Sequence, residues 1–454
     1  LSIKEISSFT DFPGIELNPV TKRGYFGASS TANLGVTNVP MHRVPVGPIA
    51  SMGELIHANL ASGRTLPRVT HPFGNSHAHP MIQTNKIAQS GGKVSFDHHY
   101  LDHSFLLNQT LWDEYFFSSI VDQSESYTGV ERTQSEVLTD LLQGTANNPL
   151  NPRLTPASLS EGREEFVDRM KALPENAAKE LSSALMVRGM FNINSDSVDA
   201  WNSILLALRS ESVHGWAGKE HQLHYNTAFP RMGLSLGGDP SLGDPPPADV
   251  AGAVRWAGFR SLTDEQIKTL AENIVLELRK RTKLDQAPYQ SLAEFVNRRI
   301  GAKGELHAQK GVIQAAIDNS GINTFAPGDS IKVDLNKLDA LDKKGIVNAD
   351  ALEGYSAEGS PVSITQGDIL SALSSHISVR GDTFKIRAYG DARGSNGRVI
   401  AKAWCEATVQ RIPEYLDPTD KAATRTDALV SESNRRFGRR FVITNFRWLN
   451  EKEL

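Results

Sequence analysis

Between Asp382 and Arg411 the apolar residues stop recurring at every third or fourth position and begin to alternate. In DTFKIRAYG, Phe384, Ile386 and Ala388 interleave with Lys385, Arg387 and Tyr389; in VIAKAWCEATVQR, Val399, Ala401, Ala403, Cys405, Ala407 and Val409 share one parity. A period of two sends alternate side chains to opposite faces of a strand. The two runs therefore predict half-buried strands joined through the turn-rich DARGSNGR, and RRFVITNFRWL, residues 439–449, predicts a third. The inward face of this sheet is expected to include Phe384, Ile386, Ala403 and Cys405.

Upstream the period is helical. In SLTDEQIKTLAENIVLELRKR, Thr263 and Gln266 form a capping-box pattern ahead of a stripe of Ile267, Leu270, Ala271, Ile274, Val275 and Leu278. Ser291 with Glu294, and Thr365 with Asp368, repeat the pattern. Helices are also expected over residues 163–172 and 176–187. In FNINSDSVDAWNSILLAL, polar side chains crowd ahead of Val198, Trp201, Ile204, Leu205 and Leu208. Asn192, Asn194 and Ser195 are expected to cap that helix, whose first N–H groups lack intrahelical partners. Helices followed by a small antiparallel sheet make an α+β fold.

The intervening stretches are rich in turn formers. Residues 142–162 and 232–253 are punctuated by Pro, Asn and Gly, and Pro245 to Pro247 exclude a helix where they stand. The expected organisation is a loop-rich amino-terminal region at 1–141 with an aromatic core segment at 102–121, a helical domain at 163–300 with an irregular insertion at 209–261, and a sheet domain at 301–454 with an insertion at 301–364. A chain of 454 residues suits two or three such domains. It opens on Leu1, which fits a processed product or a piece of a longer polypeptide.

Several classes of function are disfavoured. With 48 basic and 52 acidic residues the net charge is −4, which supplies no excess positive field for gripping phosphates, so no nucleic-acid partner is expected. Cys405 is the only cysteine, which excludes an internal disulfide and a thiolate zinc site. No run approaches the roughly 20 apolar residues of a membrane-spanning helix, so membrane contact is expected only through a missing or separate anchor. No nucleophile elbow, Walker loop or dinucleotide fingerprint is present.

The densest candidate for chemistry is HPFGNSHAHP with FDHHYLDH. It brings His71, His77, His79, His98, His99 and His103 beside Asp97 and Asp102, residue types that ligate zinc. No apolar strand precedes His77 to present such a site, and solvated or packing histidines explain the same residues. For calcium, Asp239, Asp244, Asp249, Asp196 and Asp199 lack the spacing of an EF-hand loop, and turn formation explains them. Arg380 to Asp382 spell an integrin-type tripeptide at the start of a strand. No resident cofactor is expected, calcium and zinc being the ions considered.

Three pieces stand in order: the Asn192-Ile193-Asn194 helix start, the segment holding Pro288, Ser291, Glu294 and Phe295, and the hairpin from Phe384 to Arg411. That order resembles the minor pseudopilin protein K family of type II secretion. The stretches ASMGELIHANL, LDHSFLLNQTLWDEYFFSSI, MFNINSDSVDAWNSILLAL, SLAEFVNRRI and ISVRGDTFKIRAYG with AWCEATVQR resemble the Verru_Chthon cassette protein A family. The resemblance implies a pilin-like sheet and company with pilin-like proteins. Two departures stand: the chain has no pilin-type amino-terminal hydrophobic helix, and the insertions at 209–261 and 301–364 have no counterpart.

The expected function is a non-enzymatic structural subunit of a pilus-like or type II secretion-like bacterial envelope assembly, periplasmic or extracellular, with like subunits or other pilin-like proteins as partners. Trp216, Tyr225 and Trp256 are candidate contact anchors, and pinning a loop to its own domain is their plainer role. The alternatives are an envelope metal-dependent hydrolase using the histidine-rich region and an adhesin or binding module using the insertions.

Overall fold

The computed structural model describes residues 49–56, 73–84, 102–113, 117–125, 130–143, 151, 153–157, 163–172, 177–209, 211–217, 220–229, 231–232, 259–300, 306–324, 330–331, 345–355 and 363–453, with strand pieces at 16–17 and 24–25. Helices and a carboxy-terminal antiparallel sheet make it α+β, as expected. The chain gathers into two compact units. One comprises Leu1–Val46, Ser51–Tyr115 and Ile193–Val379, the other Gly47–Ala50, Phe116–Asn192 and Arg380–Leu454. This division cuts across the three consecutive domains expected, because the contacts that close the first unit join segments far apart in sequence.

The first unit is helical: α1 (His103–Leu111), α2 (Val198–Ala207), α3 (Asp264–Asp285), α4 (Leu292–Val296), α5 (Val312–Ser320) and α6 (Gln366–Leu373). At the start of α3, Thr263 Oγ1 accepts from Gln266 N and Thr263 N donates to Gln266 Oε1, the reciprocal box read from the sequence. The stripe Ile267, Leu270, Ala271, Ile274, Val275 and Leu278 is buried, and α3 packs on both α5 and α2. Each such Leu or Ile contributes about 1.5–3 kcal/mol of burial. Trp201 of α2 stacks on Phe295 of α4 at 6.2 Å between ring centroids, both fully buried. The region expected to be an insertion, 301–364, contributes α5, whose Val312, Ile313, Ala315, Ala316 and Ile317 are all core. Its apolar residues form a short run with little polar interruption, so amphipathic spacing did not mark it.

Polar side chains tie these helices together. Gln366 is fully buried; its Oε1 accepts from Gln314 N at 3.1 Å, and its Nε2 donates to Gly74 O and Val296 O at 2.9 and 2.8 Å. Asn108, also fully buried, accepts from Gly74 N and donates to Asn75 O and Asn297 Oδ1. Gly311 N donates to Ser76 Oγ, and any Cβ at Gly311 would overlap Val296 O, Ser76 Oγ and Gln366 Oε1. These bonds satisfy buried backbone groups that no helix or strand pairs.

The expected cap at residues 192–195 is corrected. The side chain that caps α2 is Ser197, whose Oγ accepts from Ala200 N at 3.2 Å. Asn194 instead works across the unit: its Oδ1 accepts from Tyr289 N, and its Nδ2 donates to Tyr289 O and Val379 O. Ser195 Oγ accepts from Ser197 N, and Asn192 lies in a two-residue strand piece. Proximity to the helix favoured these polar residues equally; Ser197, with extended backbone three residues before Ala200, makes the capping bond.

In the second unit, helices Gln134–Gln143, Arg163–Ala172 and Ala177–Ser183 and the strand pair Leu154–Pro156 with Leu185–Val187 close a small core of Val137, Leu142, Phe166, Val167, Met170 and Leu181. The helix expected to run to residue 187 ends at Ser183, because Leu185 to Val187 pair with Leu154 to Pro156 instead. In the insertion at 209–261, Glu211–Ala217 and Glu220–Thr227 pair as a hairpin, so Trp216 and Tyr225 sit in strands rather than irregular loop. Trp256 lies outside the described residues.

Candidate interaction face

The carboxy-terminal sheet has three antiparallel strands in the order β1 (Thr383–Arg393), β2 (Val399–Tyr415) and β3 (Arg439–Leu449). The hairpin register sets Phe384 opposite Val409, Ile386 opposite Ala407 and Ala388 opposite Cys405. On the other side of β2, Cys405 pairs with Trp448, Ala407 with Phe446 and Val409 with Ile443. Directly opposed residues share a face, so one face carries Phe384, Ile386, Ala388, Ala403, Cys405, Ala407, Val409, Phe441, Ile443, Phe446 and Trp448. A register shift on β3 between the partners of Thr408 and Val409 leaves Thr444 as an extra residue, which restores the phase of the second half of the strand. The sequence already carries this mark: Phe441, Ile443, Phe446 and Trp448 are spaced two, three and two apart.

The opposite face is polar and internally satisfied. Glu406 on β2 receives Arg387 Nε at 2.8 Å from β1 and Arg447 Nε at 3.1 Å from β3. The Arg387 hydrogen bond foremost, then Arg447, holds the Glu406 carboxyl below its usual range against the opposing cost of desolvation. Tyr389 lies against Trp404 at 5.5 Å and donates its hydroxyl to Asp391.

The apolar face is not a closed core, which corrects the expectation for Phe384, Ile386, Ala403 and Cys405. Phe384 is 41% exposed, Ile386 51%, Phe441 53%, Ile443 66%, Phe446 49% and Trp448 68%. Ala403 is exposed and Cys405 half-buried. The alternation read from the sequence is present, and its apolar side faces solvent because nothing among the described residues lies over it. Exposed apolar patches beyond a few hundred Å² on a folded chain mark contact surfaces.

The face also has relief. Along β3 stand four large side chains, while the centre strand offers Ala401, Ala403, Cys405 and Ala407, and β1 beyond Ile386 offers Ala388 and Gly390. At one end Phe384 and Phe441 lean together across β2, ring centroids 6.0 Å apart, beside Arg411, which pairs with Asp382. That pairing occupies the acid of the Arg380-Gly381-Asp382 tripeptide. Beyond this end, Tyr415, Leu429, Phe437, Phe441 and Arg439 line a cleft of about 410 Å³. The loop behind it is held by α7 (Glu432–Phe437): Asn434 donates to Asp417 O and Asp420 Oδ2, and hydrogen bonds from Ser431 and then Thr419 bring the Asp417 carboxyl down to about 2.

The described residues of the histidine-rich region do not assemble as a ligand set. Asp102 caps α1 by accepting from Phe105 N at 3.0 Å, and its other oxygen receives Arg298 Nη2 at 3.0 Å, which commits the carboxylate to structure. His79 and His103 are exposed, and His77 is half-buried. Among the described residues no three His, Cys, Asp or Glu side chains converge on one point. Asp97, His71, His98 and His99, and the calcium candidates Asp239, Asp244 and Asp249, lie outside the described residues, while Asp196 and Asp199 are exposed at the start of α2. No helix among the described residues is long and apolar enough to cross a membrane. No protein-family model, curated protein or solved structure matches this chain.

Proposed function

We propose that this chain is a non-enzymatic structural subunit of a pilus-like or type II secretion-like bacterial envelope assembly, with its three-stranded sheet as the pilin-like element. The observation that carries the reading is the solvent-facing apolar side of that sheet, from Phe384 to Trp448, on a chain whose buried Asp102 and Glu406 carboxylates are taken up by arginines that hold the fold. A sheet needs one covered face to repay its ordering, and an assembling subunit receives that cover from a neighbour. The order of motifs from Asn192 to Arg411 supports the same reading. Its partners are like subunits or other pilin-like proteins, on the periplasmic or extracellular side of the envelope. Cross-linking native envelope material before dilution, followed by mass measurement, tests it: adducts to like or pilin-like chains are expected, and a strictly monomeric protein with no cross-linked neighbour overturns it.

A further inference from the structure

We infer that the occupant of the apolar face is a second copy of this chain, packed sheet on sheet. The inference rests on the assembly reading above and names its partner. Three observations carry it. First, the area fits. Six large side chains stand between 41% and 68% exposed; with about 150–250 Å² on each aromatic, the face offers on the order of 700 Å². A stable protein contact takes about 800 Å² from each partner, so this one face covered by its own copy approaches a complete interface.

Second, the relief is self-complementary. β3 is a ridge of Phe441, Ile443, Phe446 and Trp448; beside its Phe446–Trp448 half lie the small Ala407 and Cys405 on β2 and Ala388 on β1, and beside its other half Val409 and Phe384. A two-fold axis running along the strands, between two sheets stacked about 10 Å apart, keeps every residue at its own level, so Phe446 and Trp448 of each copy lie over Ala407, Cys405 and Ala388 of the other, while Phe441 and Ile443 meet its Val409 and Phe384. The symmetry closes after two copies, as an isologous contact does. Third, the charge distribution is that of an interface. Between Phe441 and Trp448 the charge on this face is that of Arg411, opposite Phe441 at its end, and it is paired with Asp382. An apolar centre with a satisfied polar rim is the anatomy of a protein contact, and the face presents no unpaired cation to a lipid headgroup.

Cys405, the only cysteine, lies at the middle of this face in register with Trp448 and serves as a native reporter. The test uses the full chain at about 100 µM, above the micromolar dissociation constants at the weak end for contacts of this area. Light scattering is expected to give a dimer, and maleimide labelling of Cys405 to be about tenfold slower than after dilution to the monomer, by mass action. Ile443→Glu with Trp448→Glu is expected to give a monomer with fast labelling and an unchanged circular dichroism spectrum. Val121→Glu, at a 59% exposed position elsewhere, is expected to leave the dimer intact and controls for a general effect of added charge. A monomer with fast labelling at high concentration overturns the inference. So does a dimer that survives the double substitution, which points to an edge strand, or protection of Cys405 that appears only with a different protein. In each of these cases, adducts in native envelope material would leave the assembly reading standing; their absence as well would remove both.

Discussion

Gln366→Ala probes the hydrogen bonds that close the first unit. The side chain is fully buried and serves three backbone groups: it accepts from Gln314 N and donates to Gly74 O and Val296 O. Truncation leaves one donor and two acceptors in a fully buried site, each at about 1–3 kcal/mol. Carbonyl oxygens tolerate partial satisfaction better than N–H groups, so the sum is expected near the lower half of that range, about 3–5 kcal/mol. That is a large share of the 5–15 kcal/mol that typically separates a folded domain from its unfolded state. Gln366→Glu sharpens the test. A carboxylate can still accept from Gln314 N but meets two carbonyl oxygens where the amide donated, so its pKa in the fold is raised. The sign follows: the variant is most stable below the ordinary glutamate value, about 4.3, and loses stability as pH rises through the raised value. Urea denaturation at several pH values, with hydrogen exchange of residues 312–320 as a local readout, measures both effects. Gln366→Ala within about 1 kcal/mol of the parent, or a pH-independent Gln366→Glu, would refute the assignment of Gln366 as a closing residue.

Asn194→Ala removes three bonds to Tyr289 and Val379 and is expected to cost about 2–4 kcal/mol, against about 1 kcal/mol for the helix cap lost in Ser197→Ala; equal denaturation midpoints for the two would contradict this ranking. Gly311→Ala drives a methyl into Val296 O, Ser76 Oγ and Gln366 Oε1 and is expected to destabilise by about 3 kcal/mol or to abolish folding, read by thermal unfolding. Asp417 is held at about 2 by Ser431 and Thr419, below its ordinary 3.8, so its contribution is present above pH 3.8 and is lost as pH falls toward 2. Asp417→Asn should flatten that acid limb in melts of the sheet, and an unchanged limb would assign it to other groups.

Local signals were legible where the partner is near in sequence. The Thr263 box and the Arg163–Ala172 helix rest on groups three or four residues apart and the β1–β2 hairpin on consecutive strands joined by one short turn, and all form. Thr365 also forms its box, its N–H and hydroxyl both donating to Asp368. The Ser291 box forms only in part: Ser291 accepts from Glu294 N, but Glu294 reaches back to Gln290 N, and Asp113 accepts from Leu292 N and Ala293 N. Burial was not legible, because alternation says which residues share a face and not what covers it, hence Phe384 and Ile386 in solvent. Distant polar partners were not legible either. Nothing near Asn194 in sequence distinguishes a residue bonding Tyr289 from one that caps a helix, and nothing near Asp102 announces Arg298.

The span of these bonds governs when the chain can fold during synthesis. Gly74 O meets its donor only when Gln366, 292 residues later, has emerged. At about 5–20 residues per second that is a wait of roughly 15–60 s. Asn108 likewise waits for Asn297. The stretch in between is not idle: Ile120 to Leu185 hold a core made entirely of local neighbours and can collapse as soon as they are free of the ribosome. Vectorial synthesis thus delivers a folded nodule while Gly74 and Asn108 still wait for their partners, and the apolar ridge of β3 emerges after Gln366. The exposed apolar residues of β3 are thereby held back until the groups that close the first unit are all present.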